Sequence, residues 1–306
     1  MRIGIDLGGT KTELVAIDAH GRQLLRERQP TPATDYQAIL ANIRSMVESA
    51  ERRLASTASV GIGIPGTLSI RTGLVKNANT VCLIGKPLKQ DLEASLRRPV
   101  RLANDANCFA LSEACAGAGV EEEVVFGVIL GTGVGGGIVV HGQIINGINS
   151  VAGEWGHNPL PWPRDDERPG PRCYCGKSGC IEAFLAGPRL EQVYQEKTGR
   201  AFSATQIAEQ ALQGDSHAEE ILQLYEDRIA RALASVIDIL DPNVIILGGG
   251  LSKMERLYTR VPLLWGSYVF SDSVETKLRP AKFGDSSGVI GAAWLWPAAG
   301  LAPASV

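Results

Sequence analysis

Residues 4–11 have the sequence GIDLGGTK, and this segment gives the first indication of the fold. Residues 2–7 are mostly apolar, which predicts a buried β-strand, and the paired glycines Gly8 and Gly9 predict a tight turn. Residues 12–18 and 23–29 have the composition of a second and a third strand. We therefore expect the chain to open with a three-stranded meander whose first turn is rich in glycine.

The same turn carries groups that suit a phosphate ligand. A carboxylate at the end of a strand, here Asp6, can hold a hydrated Mg²⁺ ion, and glycines let backbone N–H groups approach phosphate oxygens. Thr10 adds a hydroxyl group. The alternative is an ordinary hairpin turn, because motifs this short also occur without any such function.

A similar pattern returns in the second half of the chain, where residues 131–133 are Gly-Thr-Gly between the apolar segments 124–130 and 136–140. This repetition indicates a weak internal duplication. Further strands are predicted at residues 59–64, 100–103 and 243–247, and helices at 37–54, 87–96, 106–116, 180–185, 205–212, 218–240 and 286–296. The alternation predicts an α/β protein with mixed sheets, and the glycines near residue 118 mark the expected boundary between two lobes.

Two segments, residues 61–66 and 131–136, match the pattern G-x-G-x-x-G of dinucleotide-binding proteins. That pattern has its function only where it opens a helix. Pro65 interrupts the first segment, and a predicted strand follows the second. We therefore exclude a Rossmann-type site, although the turn at residues 131–133 could still bind phosphate through its backbone N–H groups.

Three of the six cysteines lie within eight residues of one another, at positions 173, 175 and 180. Together with His157 they offer three thiolates and one imidazole, a set that suits tetrahedral Zn²⁺. The spacing is not that of a standard zinc finger, so three unrelated thiols in a loop are the alternative. Because four protein ligands leave no coordination position open, we expect a structural zinc site formed by His157, Cys173, Cys175 and Cys180.

Three carboxylates near these features could take part in chemistry. Asp105 follows Asn104 at the start of a predicted helix, where either residue could cap the helix and where the helix N-terminus favours an ionised carboxylate. Glu154 and Glu182 lie within three residues of a predicted zinc ligand. A metal loop would hold both glutamates rigidly, which suits recognition of a ligand with several hydroxyl groups.

The composition is that of an ordinary globular protein: 306 residues, 44% hydrophobic, with a net charge of −3. No basic excess indicates nucleic-acid binding, and the N-terminus has no apolar segment typical of a signal peptide. The uncharged segment 288–306 contains Pro297 and Pro303, which argues against a membrane anchor. The acidic runs 121–123 and 165–167 are typical of solvated loops. We expect a cytoplasmic protein without membrane or nucleic-acid partners.

Taken together, the motifs resemble the ROK family of bacterial sugar kinases and repressors, over nearly the whole chain. The segments that carry this resemblance are residues 4–11, 61–66, 104–107, 131–133, 154–157, 173–182 and 284–288. The resemblance implies a two-lobed α/β fold of the actin and sugar kinase type, with a ribonuclease-H-like core and a cleft between the lobes. The small lobe would span residues 1–118, with a C-terminal helix of about residues 286–306 packed on it, and the large lobe residues 119–285, including the zinc loop 157–180.

The resemblance also implies phosphoryl transfer from MgATP to a hexose hydroxyl, O6, with Asp105 as the base. The sugar would contact Gly66, Asn79, Asn104, Asp105, Glu154, His157 and Glu182. Asp6 would position Mg²⁺ through water. The nucleotide would contact Asp6, Gly8, Gly9, Thr10, Lys11, Gly131, Thr132, Gly133, Gly249 and Gly250. A homodimer is a further implication.

The substrate is expected to be fructose, because residues 76–79 and 155–162 look like the fructokinase and mannokinase branch of the family. Residues 107–113 and 130–137 look equally like N-acetylglucosamine kinase, and glucokinase is a further alternative. The family's repressors carry an additional helix-turn-helix segment before the first strand, which here begins at residue 2, so we expect a kinase. A sugar-sensing protein without catalysis and a chaperone-type or polymer-forming ATPase are the alternatives of other classes.

Overall fold

The computed structural model describes residues 1–78 and 80–297. The chain divides into two compact units. The first comprises residues 1–120, residues 142–152 and the segment that begins at Asp285, and the second comprises residues 121–141 and 153–284. No helix in the described part of the chain is long and apolar enough to cross a lipid bilayer.

The first unit is built on a five-stranded sheet in the order β3-β2-β1-β4-β7. Its elements are β1 (Arg2–Leu7), β2 (Lys11–Ile17), β3 (Gln23–Pro30), α1 (Tyr36–Leu54), β4 (Ser59–Ile64), β5 (Thr67–Leu68), β6 (Val75–Lys76), α2 (Leu88–Leu96), β7 (Val100–Asn104) and α3 (Asp105–Ala116). β1 pairs antiparallel with β2 and parallel with β4, so the predicted meander leads into a parallel sheet.

The second unit contains four strands in the order β9-β8-β11-β12, which is the order of β2-β1-β4-β7 in the first unit. The remaining elements of the chain are β8 (Val124–Leu130), β9 (Val134–Val140), β10 (Gln143–Ile144), α4 (Ile181–Leu185), α5 (Gly187–Thr198), α6 (Ala204–Leu212), α7 (Ser216–Leu240), β11 (Val244–Gly248), α8 (Arg256–Trp265), β12 (Lys277–Pro280) and α9 (Ser287–Trp294). The expected α/β class is confirmed, and the strand order agrees with an internal duplication.

Helix α9 packs directly on the sheet of the first unit, and glycines make this approach possible. A Cβ atom on Gly61 of β4 would lie 1.9 Å from the Ala292 carbonyl oxygen, and one on Gly291 would lie 1.7 Å from the Cys108 carbonyl oxygen. Any side chain at either position would therefore push α9 away from β4 or from α3. Gly61, which begins the first G-x-G-x-x-G match, has a packing role, and no helix follows that match.

A buried ionic network fixes residues 161–168 against helix α7. The Arg231 guanidinium donates to both carboxylate oxygens of Glu167, at 2.8 and 2.9 Å, and to Asp227 Oδ2 at 3.0 Å. Burial acts to raise the pKa of Glu167, but hydrogen bonds from Arg231 and Arg228 lower it to about 2. The expectation of a solvated acidic run at residues 165–167 is therefore wrong for Glu167, which is 4% exposed.

Several other expectations need correction. Helices α5 and α8 and strand β12 were not predicted, because α5 places few apolar residues on its buried face and α8 contains Pro262. The C-terminal helix was expected to span about residues 286–306, but α9 ends at Trp294, and residues 298–306 lie outside the described residues.

Candidate functional site

Three parallel strands of the first sheet end at the same edge. Strand β1 lies beside β4 with Asp6 opposite Gly63, and β4 lies beside β7 with Ile64 opposite Asn104. In open α/β sheets, ligands bind outside the carboxyl ends of the strands. The candidate residues Asp6 and Asn104 therefore share an edge that is typical of ligand sites.

Asn104 connects two of the candidate sugar-binding residues. Its Oδ1 atom accepts a hydrogen bond from the Ala106 N–H at 2.9 Å, which makes Asn104 the N-cap of α3. Its Nδ2 atom donates to the Gly66 carbonyl oxygen at 3.2 Å. The fold thus brings Gly66 and Asn104 together. Asn79, the third candidate from this part of the chain, lies outside the described residues.

Asp105 is the first residue of α3, and its side chain is exposed. Its Oδ1 atom also accepts from the Ala106 N–H, at 2.8 Å. Because Asn104 already occupies the capping position, Asp105 is not needed to start the helix. An exposed carboxylate at a helix N-terminus, where the ionised form is favoured, is suited to accept a proton from a ligand.

Asp6 has an unusual electrostatic environment. Burial raises its pKa from 3.8 to about 6, and the negative charges of Asp105 and Glu13 add to this shift. A Cβ atom on Gly288 would lie 3.4 Å from Asp6 Oδ2, so the first turn of α9 lies against this carboxylate. A carboxylate held near two others is stabilised by a divalent cation, which makes Asp6 a suitable residue to position Mg²⁺.

The turn between β1 and β2 is closed by a hydrogen bond from the Gly8 N–H to the Lys11 carbonyl oxygen, at 3.0 Å. The Thr10 carbonyl oxygen accepts a hydrogen bond from the Thr31 N–H, also at 3.0 Å, which fixes the outer part of the turn. Gly9, Thr10 and Lys11 are all exposed. The turn is therefore a fixed and accessible element, as a phosphate-binding turn must be.

The turn between β8 and β9 is its counterpart in the second unit. The Gly131 N–H donates to the Gly133 carbonyl oxygen at 3.0 Å, and the Gly187 N–H donates to the Gly131 carbonyl oxygen at 2.8 Å. Thr132 is exposed at the tip. The start of helix α5, which the sequence did not predict, thus supports this candidate phosphate turn.

Gly249 and Gly250 follow strand β11 in the second unit. Gly249 has a φ angle of +83°, a region that favours glycine, and a Cβ atom there would lie 2.3 Å from the Leu130 carbonyl oxygen. These two glycines and the turn at residues 131–133 therefore lie close to one another. By contrast, a Cβ atom on Gly250 would meet no atom within 4 Å, so this residue borders open space.

His157, Cys173, Cys175 and Cys180 converge on one point, and their candidate ligand atoms all lie within 4.8 Å of one another. The Cys173 Sγ atom is 3.6 Å from His157 Nδ1, and the Cys175 Sγ atom is 3.6 Å from Cys180 Sγ. The bond lengths of a tetrahedral zinc site predict about 3.6 Å between a sulfur and a nitrogen ligand, and about 3.8 Å between two sulfur ligands. The four predicted residues therefore fit a zinc ion in type, number and spacing.

The two candidate glutamates near this cluster differ in their surroundings. Glu154 is exposed, whereas Glu182 is half-buried and accepts a hydrogen bond from the Val134 N–H at 2.9 Å. His157 directs Nδ1 towards the cysteines, and its Nε2 atom lies 3.0 Å from the Tyr174 hydroxyl. Tyr174 was not predicted as a site residue, although its place between Cys173 and Cys175 is a signal that could have indicated it.

Comparison with known proteins identifies the family. The ROK family matches residues 2–299. This chain belongs to the ROK family. The ROK chain is 40% identical to the N-acetyl-D-glucosamine kinase of Vibrio atlanticus (strain LGP32) over 299 residues, which cover 96% of the chain and 99% of that kinase. The resemblance seen in the sequence motifs is therefore confirmed.

Two solved structures of the family have the same fold as the ROK chain. The ROK hexokinase from Thermus thermophilus is 32% identical, with a TM-score of 0.85 and 96% of each chain covered. The ROK family glucokinase from Streptomyces griseus, solved in complex with glucose and AMPPNP, is 28% identical, with a TM-score of 0.77 and coverage of 96% and 98%. The predicted fold of the actin and sugar kinase type is confirmed by these similarities.

Proposed function

We propose that the protein is an ATP-dependent kinase that transfers a phosphoryl group to O6 of N-acetyl-D-glucosamine. The observation that carries this proposal is the 40% identity to an N-acetyl-D-glucosamine kinase over 96% of the chain. The motif at residues 107–113, which resembles the same branch, agrees with it. Fructose, the substrate first expected from residues 76–79 and 155–162, is therefore replaced by the amino sugar that was the alternative.

Asp105 would act as the general base. Its exposed carboxylate, at the N-terminus of α3, would accept the proton of the attacking sugar hydroxyl. A helix N-terminus favours the ionised form of a carboxylate placed there, which is the form that a general base requires. Asn104 beside it is oriented by its hydrogen bonds to Ala106 and Gly66, so that the backbone around the base is fixed.

The nucleotide would be bound mainly by backbone groups of the two glycine turns. Residues 8–11 and 131–133 would contact the phosphates, and Gly249 and Gly250 the adenosine side. Asp6 would hold Mg²⁺ through water, and the ion would supply positive charge to the transferred phosphoryl group. Burial, together with the negative charges of Asp105 and Glu13, raises the pKa of Asp6, and a bound cation would favour its ionised form.

The sugar would be recognised by Gly66, Asn79, Asn104, Asp105, Glu154, His157 and Glu182. A zinc ion held by His157, Cys173, Cys175 and Cys180 would be structural, since four protein ligands would leave no coordination position open. A two-lobed chain with limits at residues 118 and 285, a homodimer and a cytoplasmic location belong to the same proposal.

The proposal is tested by one panel of kinetic measurements. ADP release with MgATP would be followed for N-acetyl-D-glucosamine, fructose, mannose and glucose, and kcat/KM compared. We expect N-acetyl-D-glucosamine to exceed each of the others by at least about tenfold, which corresponds to about 1.4 kcal/mol in the transition state. A higher kcat/KM for another sugar would overturn the substrate assignment.

The same panel decides between the enzyme and the sugar-sensing alternative. If no sugar stimulates ADP release but one of them binds in calorimetry, the chain is a sensor and the proposed kinase activity is wrong. The exposed Asp105 carboxylate and the two intact glycine turns favour the kinase.

A further inference from the structure

The candidate phosphate turn of the second unit is joined to the candidate zinc cluster by several direct contacts. The segment that begins at Trp155 and ends with the ligand His157 forms a short 3₁₀-helix. The segment after the ligand Cys180 forms α4, with Cys180 as its N-cap. Both segments contact the four residues that follow the tip of the turn, 133–136.

The first connection runs from Cys180 through α4. Glu182 is the second residue of this helix, and its Oε2 atom accepts the Val134 N–H at 2.9 Å. A Cβ atom on Gly133 would lie only 2.8 Å from the same oxygen, so the turn fits closely under the carboxylate. Beyond the C-terminal end of α4, the N–H of Gly187, the first residue of α5, donates to the Gly131 carbonyl oxygen at 2.8 Å. The continuous segment from Glu182 to Gly187 therefore contacts the turn at both of its ends.

The second connection runs from His157. In the residues before this ligand, the Trp155 Nε1–H group donates to the Gly135 carbonyl oxygen at 3.1 Å. A Cβ atom on Gly156 would lie 2.2 Å from the Val134 carbonyl oxygen, so the backbone of the 3₁₀-helix lies against the start of β9.

The two connections also meet at the cluster itself. The Cys173 Sγ atom lies 3.8 Å from Glu182 Oε1, so the carboxylate that holds the turn also borders a candidate ligand. The Ile181 N–H donates to the Asn158 carbonyl oxygen at 2.9 Å, next to His157. A metal ion that fixes His157 relative to Cys180 therefore also fixes the 3₁₀-helix and α4, the two segments that contact residues 133–136.

We propose that zinc binding at the cluster and nucleotide binding at the turn are energetically coupled, with Glu182 and Trp155 as the positioning residues that transmit the coupling. This inference rests on the proposed zinc site and nucleotide turn. It goes beyond them, because it makes the affinity for MgADP depend on zinc in the absence of any sugar. Linkage requires that MgADP strengthen zinc binding by the same factor.

The test measures both affinities on the full chain without sugar. Isothermal titration would give the Kd of MgADP for the zinc-loaded and the chelator-treated protein. Competition with a chromophoric chelator would give the Kd of zinc with and without saturating MgADP. We expect each ligand to tighten the binding of the other by about tenfold. The chelator competition needs no stable metal-free protein, so unfolding of the stripped chain does not prevent the measurement.

Variants show whether the named residues transmit the coupling. In Glu182→Ala the coupling factor should fall to about one, and in Glu182→Gln, whose Oε1 atom can still accept the Val134 N–H, most of it should return. Trp155→Phe keeps an aromatic ring but removes the indole N–H group that bonds the Gly135 carbonyl oxygen, and should reduce the factor by about half. Glu209→Ala, a matched change at an exposed site on α6, should leave it unchanged.

The outcomes separate this inference from the proposed function. If zinc and MgADP both bind but neither affects the other by more than twofold, the coupling is wrong and the proposed function stands. If Glu182→Ala retains the wild-type factor, Glu182 is not the connection. If the zinc-loaded protein does not bind MgADP, the proposed function fails, and the coupling with it.

Discussion

The two glycine turns occupy the same position in their sheets and differ in what surrounds them. In the first unit Asp6 pairs with Glu13 of the antiparallel strand and with Gly63 of the parallel one. In the second unit Ile129 is the corresponding residue, one position before the end of its strand, and it pairs with Gly135 and Gly248. The same backbone pattern therefore carries a carboxylate in one unit and an apolar side chain in the other.

The two turns also differ in the groups that hold them in place and in the acidic residues beside them. The first turn is held by backbone contacts and lies at an edge that collects the carboxylates Asp6 and Asp105. The second has no acid in the corresponding position and is held from outside, by the Glu182 carboxylate and the N–H of Gly187. Under the proposed function, proton transfer and magnesium binding would therefore belong to the first unit. The second unit would supply neutral phosphate contacts, held beside the candidate zinc cluster.

The largest effect is expected from Asp105→Asn in the first unit. Loss of the general base should lower kcat by about 10²- to 10⁴-fold, because asparagine cannot accept the proton. The thermal midpoint should change little, since Asn104 caps α3. The Kd of the sugar should also change little, since the amide oxygen of asparagine can still accept a hydrogen bond from a sugar hydroxyl. The measurement is kcat from ADP release, with calorimetry for sugar binding. Turnover within threefold of wild type would show that Asp105 is not the base.

Cys175→Ser should have the next largest effect, in the second unit. Removal of one thiolate from a four-ligand site should abolish stoichiometric zinc and lower the free energy of unfolding by about 4 kcal/mol, as is typical for loss of a structural metal. Urea denaturation and metal analysis would measure both. Cys82→Ser, a matched change outside the cluster, should retain one zinc per chain. A Cys175→Ser protein with normal zinc content would contradict the assignment.

Asp6→Asn tests the charge in the first unit through pH. The raised pKa means that the folded state binds a proton between pH 3.8 and about 6, so the wild-type protein loses stability as the pH rises through this range. The variant has no such loss. Without Mg²⁺ it should equal wild type below pH 4 and be more stable by about 3 kcal/mol above pH 6.

Asp18 provides a control for this experiment, because its pKa is lowered where that of Asp6 is raised. A hydrogen bond from the Arg22 side chain, and a second one from the Arg22 backbone N–H, lower the pKa of Asp18 to about 2. Asp18→Asn should therefore be less stable than wild type at neutral pH, and the difference should shrink as the pH falls from about 4 towards 2. If Asp6→Asn and Asp18→Asn both destabilise the protein at pH 8, the account of Asp6 is wrong.

The smallest effect is expected from two neighbouring glycines of the second unit. Gly249→Ala introduces a side chain at a positive φ and against the Leu130 carbonyl oxygen, and should cost about 1–3 kcal/mol of stability and weaken MgADP binding. Gly250→Ala meets open space and should change stability by less than about 1 kcal/mol. If urea denaturation shows that both variants lose the same free energy of unfolding, the positive φ and close contact of Gly249 are not important for stability.

Much of the candidate site could be predicted from the sequence because its signals are local. The turns at residues 8–11 and 131–133 follow from apolar runs broken by glycines, and the cluster of His157 with three cysteines follows from residue type and proximity. Helix α5 was missed because its sequence shows weak amphipathic periodicity. The burial of Glu167 was missed because its partner Arg231 lies 64 positions away in the sequence.

By itself, the sequence determined the α/β class, the repeated strand and turn pattern, the family and the identity of the residues that could bind zinc, magnesium and phosphate. These depend on residue types and short spacings, which are present before the chain folds. The tertiary structure decided which of them act together. It raises the pKa of Asp6 by burial beside Asp105, gives the helix cap to Asn104 and directs Glu182 to a backbone N–H 48 positions away. The physical reason is that desolvation, charge interaction and hydrogen bonding act over a few ångströms in space, whatever the distance along the chain.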